Sequence, residues 1–290
     1  MILNKKIISL LEKKLKQKVS NITPLSGGCI SSAYKLNLNS KQEFFLKHNP
    51  SVSDKMFIAE AHGLQELKKS GAIRIPEVIM YEDNFILLEL IQQGNKSKNF
   101  FSDFGRNFAL MHKHTIENYG FYEDNFIGSS PQKNIPKRNE CKSWTEFYLN
   151  NRILFQLELA EKNGYSTPEL RKGISKLEDK IEEIIGKSEE QPSLLHGDLW
   201  GGNYIVDENG NACLIDPAVY YGHREADLGM TKLFGGFSSE FYAAYNEAYP
   251  QPDGYDYREN LYKLYHVLNH LNLFGGGYYS QAISLIQFYV

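Results

Sequence analysis

The sequence predicts an α+β protein of two unequal lobes, a small antiparallel-β N-terminal lobe with one inserted helix and a larger, mainly helical C-terminal lobe. Three observations predict it. Strand signals crowd residues 1–91, interrupted by a single internal helix pattern. A polar stretch, QQGNKSKN (92–99), then forms a boundary. In residues 92–290 the apolar positions recur mainly at helical spacing. The chain of 290 residues is long enough for two such units.

The elements follow in order. MILNKKIISLLEKKLKQK spreads its lysines among Leu3, Ile7, Ile8, Leu11 and Leu15, so it reads as an amphipathic helix and not as a signal peptide. SAYKLNL (32–38) and QEFFLKH (42–48) form a hairpin. A helix is expected from about Asp54 to Ser70, capped by Ser53 or Asp54 and stopped by Gly71. EVIMY and FILLELI make a second hairpin. Beyond the boundary, Phe104, Phe108 and Met111 share a helix face, and Trp144 to Leu159 follow helical spacing. Thr167-Pro168 starts a further helix. Residues 128–140 read as a loop, and NYIVD and NACLID as short strands.

Composition narrows the function. Net charge is −3 and no basic block interleaves with aromatics, which argues against a general nucleic-acid binder. Cys29, Cys141 and Cys213 are far apart and fit a reducing compartment. No run approaches a membrane span, so a cytoplasmic monomer or weak homodimer without membrane or nucleic-acid partners is expected. The unusual feature is the 19 Tyr, 17 Phe and 2 Trp, crowded towards the C-terminus. Tyr242, Tyr245, Tyr249, Tyr262 and Tyr265 fall at helical spacing and are expected in the core.

The chemistry lies in LLHGDLWGGNYIVDENGNACLIDPA (194–218). A two-residue turn at Asn209-Gly210 would set Asn203 directly opposite Asp216, with Cβ atoms about 4.5–5.5 Å apart. An amide oxygen and a carboxylate at that spacing suit one hard cation, Mg2+, that keeps phosphate and water as its other ligands. Asp198, in a glycine-rich turn, faces the same place as a candidate base. His-x-Asp-x-x-x-x-Asn is the catalytic-loop spacing of protein-kinase-like enzymes, and the three residues together point to phosphoryl transfer from ATP. A plain loop and hairpin is the alternative.

The N-terminal lobe supplies checks. Lys47 sits in an apolar strand, and Glu60 lies on the inward stripe Phe57, Glu60, Ala61, Leu64, Leu67. Each buried charge needs a partner, so the two are expected to pair and to leave Lys47 on the ATP phosphates. Gly27, Gly28, Cys29 and Ile30 form a turn whose backbone N–H groups would cover phosphates, although Gly-Gly is also an ordinary turn. Backbone groups of Glu89, Leu90 and Ile91 would read adenine at the join between lobes.

The segments LSGGCISSAYKL, FFLKHN, AEAHGLQELKKSGAIRIPEV, YGFYEDNFIGSSPQKN, LLHGDLWGGN and IDPAVYYGHREADLGMTKLFGGF resemble the fructosamine kinase (ketosamine-3-kinase) family, a branch of the bilobal protein-kinase-like fold beside the aminoglycoside phosphotransferases. The resemblance implies MgATP-dependent phosphorylation of the 3-hydroxyl of ketosamines, whether small molecules or glycated protein lysines. The 3-phosphate then eliminates and frees the amine. Bacterial-like members favour ribulosamines or erythrulosamines over fructosamines. By motif, Asp198 resembles the base, Asn203 and Asp216 the magnesium ligands, Lys47 and Glu60 the pair that positions ATP, and Asp227 an acid that braces the catalytic loop.

Other positions stay open. Trp200 offers a flat face for the sugar, with a core tryptophan as the alternative. Tyr220, Tyr221, His223, Arg224 and Glu225 follow Asp216 closely enough to meet substrate, with core packing or internal ion pairs as the alternatives. His196 is expected to hold the loop. Cys29 would slow the enzyme on oxidation if it lies in the phosphate loop. Rival functions are a kinase for an aminoglycoside, choline or homoserine, a non-catalytic pseudokinase, and a protein kinase. All four key residues are present, and the protein-kinase motifs G-x-G-x-x-G, D-F-G and A-P-E are missing.

Overall fold

The computed structural model describes residues 3–25, 31–51, 55–137 and 141–290. The expected cap at Ser53 or Asp54 lies outside these residues. So does the turn Gly27, Gly28, Cys29, Ile30, together with the proposed oxidation of Cys29.

The N-terminal lobe is a five-stranded antiparallel sheet in the order β1-β2-β3-β5-β4. Its strands are β1 (Val19–Leu25), β2 (Ser32–Leu38), β3 (Glu43–His48), β4 (Val78–Glu82) and β5 (Phe85–Glu89). Alternation along β5 supplies both faces. Phe85 and Leu87 join Tyr34, Leu36 and Leu46 under helix α1 (Lys5–Leu15), which buries Ile7 and Leu11 there. Ile86 and Leu88 face the other way, towards Phe57, Ala61, Leu64 and Leu67 of α2 (Met56–Lys68). Asn4 caps α1 by accepting from the Lys6 N–H. Gly71, at φ +62°, follows α2 where the stop is expected.

The C-terminal lobe is mainly helical. Its first helix is α3 (Phe100–His112). The region read as a loop, 128–140, supplies β7 (Ser130–Gln132), which forms a small hairpin with β6 (Asn125–Ile127) just before it. The helix expected across residues 144–159 is α4 (Trp144–Tyr148), a π-helical turn over Leu149–Leu154, and α5 (Phe155–Lys162). Arg152 in the π turn is fully buried, with its guanidinium over Tyr220 and donating to Asn134 Oδ1 at 2.8 Å. Thr167 caps α6 (Pro168–Glu178), and α7 (Ile181–Ile185) follows. Then come strands β8 (Ser193–Leu195), β9 (Tyr204–Val206), β10 (Ala212–Leu214) and β11 (Tyr220–Gly222). Helices α8 (Glu225–Leu233), α9 (Ser239–Ala248), α10 (Tyr255–Phe274) and α11 (Tyr279–Gln287) complete the chain.

Most of the aromatic excess is core. Trp144 donates to Tyr262 Oη at 3.1 Å, and Tyr148 donates to the Leu261 carbonyl at 3.1 Å. All three rings are fully buried. Among the described residues, no helix is long and apolar enough to cross a membrane.

The β9–β10 hairpin corrects one expectation. Cys213 pairs with Ile205, so Asn203 stands opposite Ile215 and not Asp216. The Ile215 N–H donates to the Asn203 carbonyl at 3.1 Å. The loop has three residues, Glu208, Asn209 and Gly210, with Gly210 at φ +79°. Asp207 causes the change. Its Oδ1 accepts from the N–H groups of Asn209 (3.0 Å) and Asn211 (2.9 Å), which stabilises the longer turn with a left-handed glycine at its end.

Candidate active site

Strand β3 and helix α2 bring Lys47 and Glu60 together, with Nζ 2.7 Å from Oε1. Lys47 Nζ also donates to Asp216 Oδ1. Burial opposes the lysine's charge, but the Asp216 and Glu60 carboxylates outweigh it and hold the ammonium protonated. Asp216 reaches the lysine because its backbone is left-handed, φ +55°. That conformation is uncommon for a non-glycine residue and takes Asp216 out of the β10 ladder.

The loop after β8 carries Asp198. Its frame is built from below by Asp227 of α8, whose two oxygens accept from the His196 N–H at 2.7 Å and the Gly197 N–H at 2.8 Å. Burial works against ionisation of Asp227, but His112, His196 and the Gly197 N–H hold its pKa below the ordinary value. His196 Nε2 meets the Ile215 carbonyl at 3.0 Å, and burial lowers its pKa, so the ring is a neutral strut between loop and hairpin. Gly197 lies at φ +82°, and a Cβ there would stand 2.0 Å from the Ala218 carbonyl oxygen. The chain can pass this point only as glycine.

Asn203 donates from Nδ2 to the Asp198 carbonyl at 2.8 Å and to Asp198 Oδ2 at 3.0 Å. This fixes the carboxylate and turns the Asn203 amide oxygen away from it. Asp198 Oδ1 is buried without a hydrogen-bond partner. Burial raises the Asp198 pKa well above the usual carboxylate value, and the charges of Asp216 and Asp227 push the same way. An unpartnered oxygen on a carboxylate of raised basicity is what a general base requires.

Several expected substrate residues point elsewhere. Tyr220 is buried, stacked on Phe147 with Arg152 over its face. Tyr221 is buried and donates to Glu66 Oε1 at 2.8 Å. His223 is fully buried with Nε2 2.6 Å from the Ser188 carbonyl oxygen. Glu225 is fully buried in a bidentate pair with Arg258, at 2.8 and 2.6 Å. Arg224 pairs with Glu190. Arg224 and Glu225 fasten the start of α8, Tyr221 ties β11 to α2, and none of these side chains is free to meet a substrate. At Glu89 the N–H is engaged, donating to the Glu77 carbonyl at 2.8 Å, and the carboxylate binds Arg74 at 2.7 Å. Leu90 and Ile91 carry no such side-chain ties, and Ile91 is buried. Trp200 is 38% exposed, so it is not a core tryptophan.

One supporting network escapes sequence reasoning. Asn125 donates to the Val219 carbonyl at 2.7 Å, and Gln132 donates to the Ala218 carbonyl at 2.9 Å. Tyr265 donates to Gln132 Oε1 at 2.7 Å. The β6–β7 hairpin thus anchors the strand that follows Asp216. Its residues look like ordinary turn formers, and no local pattern separates them from a loop.

The fructosamine kinase family model matches residues 3–290. The chain belongs to the fructosamine kinase family. It is 40% identical over 284 residues to the chloroplastic protein-ribulosamine 3-kinase of Oryza sativa subsp. japonica, covering 94% of this chain and 80% of that protein. It is 37% identical over 268 residues to a ketoamine kinase homologue of Synechocystis sp., covering 91% and 88%. A crystal structure of a fructosamine-3-kinase-like protein from Thermobifida fusca superposes with a TM-score of 0.88 at 30% identity, covering 97% of each chain. An aminoglycoside phosphotransferase in a complex with streptomycin and ATP superposes with a TM-score of 0.66 at 15% identity, covering 99% of this chain and 97% of that one, which establishes the shared fold. The family makes the chain a phosphotransferase.

Proposed function

We propose that this fructosamine kinase family member phosphorylates the 3-hydroxyl of ketosamines with ATP, acting on small ketosamines and on glycated protein lysines. The observation that carries the reading is the unpartnered Asp198 Oδ1 beside the Lys47, Glu60 and Asp216 cluster. Asp198 takes the proton of the 3-hydroxyl. The freed oxygen bonds to the γ-phosphorus as the phosphorus bond to the bridging oxygen of ADP breaks. Lys47 stays charged throughout and holds phosphate oxygens, with Glu60 orienting its ammonium. Trp200 lies two residues from the base and gives the sugar a flat exposed face.

The donor set suits magnesium. Asp216 presents a half-exposed carboxylate that already attracts one cation, the Lys47 ammonium, and Asn203 has its amide oxygen uncommitted to Asp198. Bound magnesium would offset the charge of the phosphate oxygens. We assign adenine to the Glu89 carbonyl and the Leu90 and Ile91 backbone, and place the lobe division after Ile91. A cytoplasmic site of action accords with the three separated cysteines.

The test is ATP consumption with the ribulosamine, erythrulosamine and fructosamine adducts of lysine, beside an aminoglycoside and choline. Turnover of a ketosamine alone supports the reading. Turnover of the aminoglycoside or choline alone overturns it, and ATP binding without turnover points to a binding module.

A further inference from the structure

A line of exposed and half-buried rings starts at the loop that carries Asp198. Trp200, in the loop of Asp198, meets Phe234 edge to face at 5.8 Å between ring centroids. Phe234 ends α8 and is 38% exposed. It lies 4.8 Å from the ring of His270 on α10, which in turn lies 5.2 Å from Tyr278 and 5.5 Å from Phe274. Phe274 is 57% exposed. Tyr262 and Tyr265 on the same helix are by contrast buried. Exposed aromatic surface continuous with an active-site loop costs solvation and is available for a ligand.

The chemistry of the substrate says which part would lie there. In a ketosamine the nitrogen is bonded to C1, four bonds from the 3-oxygen. With the 3-oxygen at Asp198 and the sugar against Trp200, the nitrogen comes next along the surface. It is a secondary ammonium at neutral pH and carries an alkyl chain. Aromatic faces attract such a cation, and their apolar area covers the chain. We propose that Phe234, His270, Phe274 and Tyr278 form a track for the ammonium and alkyl chain of the substrate amine and set the preference among amines. The proposal rests on the ketosamine kinase reading. His270 is fixed in the track by its Nδ1, 2.8 Å from the His266 carbonyl oxygen. Burial lowers its pKa, so the ring stays neutral and does not repel an ammonium. The most exposed ring, Phe274, lies at the far end, where a lysine chain would continue into its protein.

The test compares the ribulosamine adducts of ammonia and of n-butylamine as substrates, measuring kcat and KM separately. Wild type is expected to prefer the butylamine adduct through KM. Phe234→Ala should cut that preference about tenfold, and Phe234→Tyr should keep it. Phe288→Ala alters a separate exposed ring, 5.6 Å from Tyr257, and should leave the preference unchanged. Thermal melting checks that each variant is folded. An unchanged preference in Phe234→Ala, or an equal loss on both adducts, overturns the track. Turnover of the ammonia adduct without any preference among amines also overturns it and leaves the kinase reading standing. Turnover of neither adduct by wild type overturns both.

Discussion

Asp198 shows how one side chain is prepared by its neighbours. Asn203 holds one carboxylate oxygen, burial raises the basicity of the group, and the other oxygen is left without a partner. Asp198→Asn keeps the shape and removes the proton acceptor. It is expected to lower kcat by about 10²–10⁴-fold with ATP affinity nearly unchanged, measured by steady-state turnover and calorimetry. Near-normal turnover would remove Asp198 from the base role. Asp216→Ala should differ by weakening nucleotide binding in a magnesium-dependent way, since it strips both a candidate ligand and a partner of Lys47. A nucleotide titration with and without magnesium separates the two variants. Gly197→Ala tests the frame, because its Cβ would lie 2.0 Å from a carbonyl oxygen at a positive φ. Loss of about 2 kcal/mol or more in urea unfolding is expected. The Lys47–Glu60 pair was legible in the sequence because two charges on apolar faces need each other. The burial of Tyr220, His223 and Glu225 was not, because their partners Arg152, Ser188 and Arg258 lie far along the chain.

At the scale of elements, Arg74 joins the parts of the site. It stands between α2 and β4, and its guanidinium binds Glu89 at 2.7 Å, Asp207 at 3.0 Å and Glu208 at 2.8 Å. Its carbonyl accepts from the Leu214 N–H at 3.0 Å. One residue therefore ties the end of β5 to the hairpin that positions Asn203 and Asp216. Arg74→Met should raise the KM for ATP more than it lowers kcat, with a loss of stability of about 1 kcal/mol after solvent screening. A fall in kcat with no change in KM for ATP would show that this tie does not govern the nucleotide side of the cleft. The same hairpin marks a limit of sequence reading. Asn209-Gly210 correctly signals the turn, but the side chain of Asp207 captures two N–H groups and adds a residue to the loop. The register moves by one, and the left-handed backbone of Asp216 is what still delivers its carboxylate to Lys47. The π turn at Leu149–Leu154 was hidden likewise, since a helical hydrophobic pattern survives one inserted residue.

Across the whole molecule, packing a large aromatic lobe has carried histidines into the interior. His112, His196, His223 and His266 are all buried, and burial lowers the pKa of each. His266 is pushed down to about 3, and its Nδ1 has no hydrogen-bond partner. In the folded protein this ring is neutral, whereas in the unfolded chain it protonates near the ordinary pKa of about 6.5. Below that pH the unfolded state binds more protons, so stability falls as pH falls. The contribution of His266 is complete above about 6.5 and is lost progressively towards about 3. Carboxylates held below their ordinary pKa, such as Asp227 and Glu190, add a loss of the same sign at lower pH. Asp198, whose carboxyl is held above its ordinary pKa, acts with the opposite sign, so the contribution of His266 is read as the difference in slope between wild type and a variant without the ring. Each strongly shifted histidine adds about 1.4 kcal/mol per pH unit to the slope below its ordinary pKa. Urea unfolding is followed from pH 6.5 to 5 in wild type and in His266→Leu. His266→Leu removes an unpartnered buried polar atom and should flatten the slope by about 1.4 kcal/mol per unit. Equal slopes in the two proteins would mean that His266 takes up its proton in the folded state as readily as in the unfolded one.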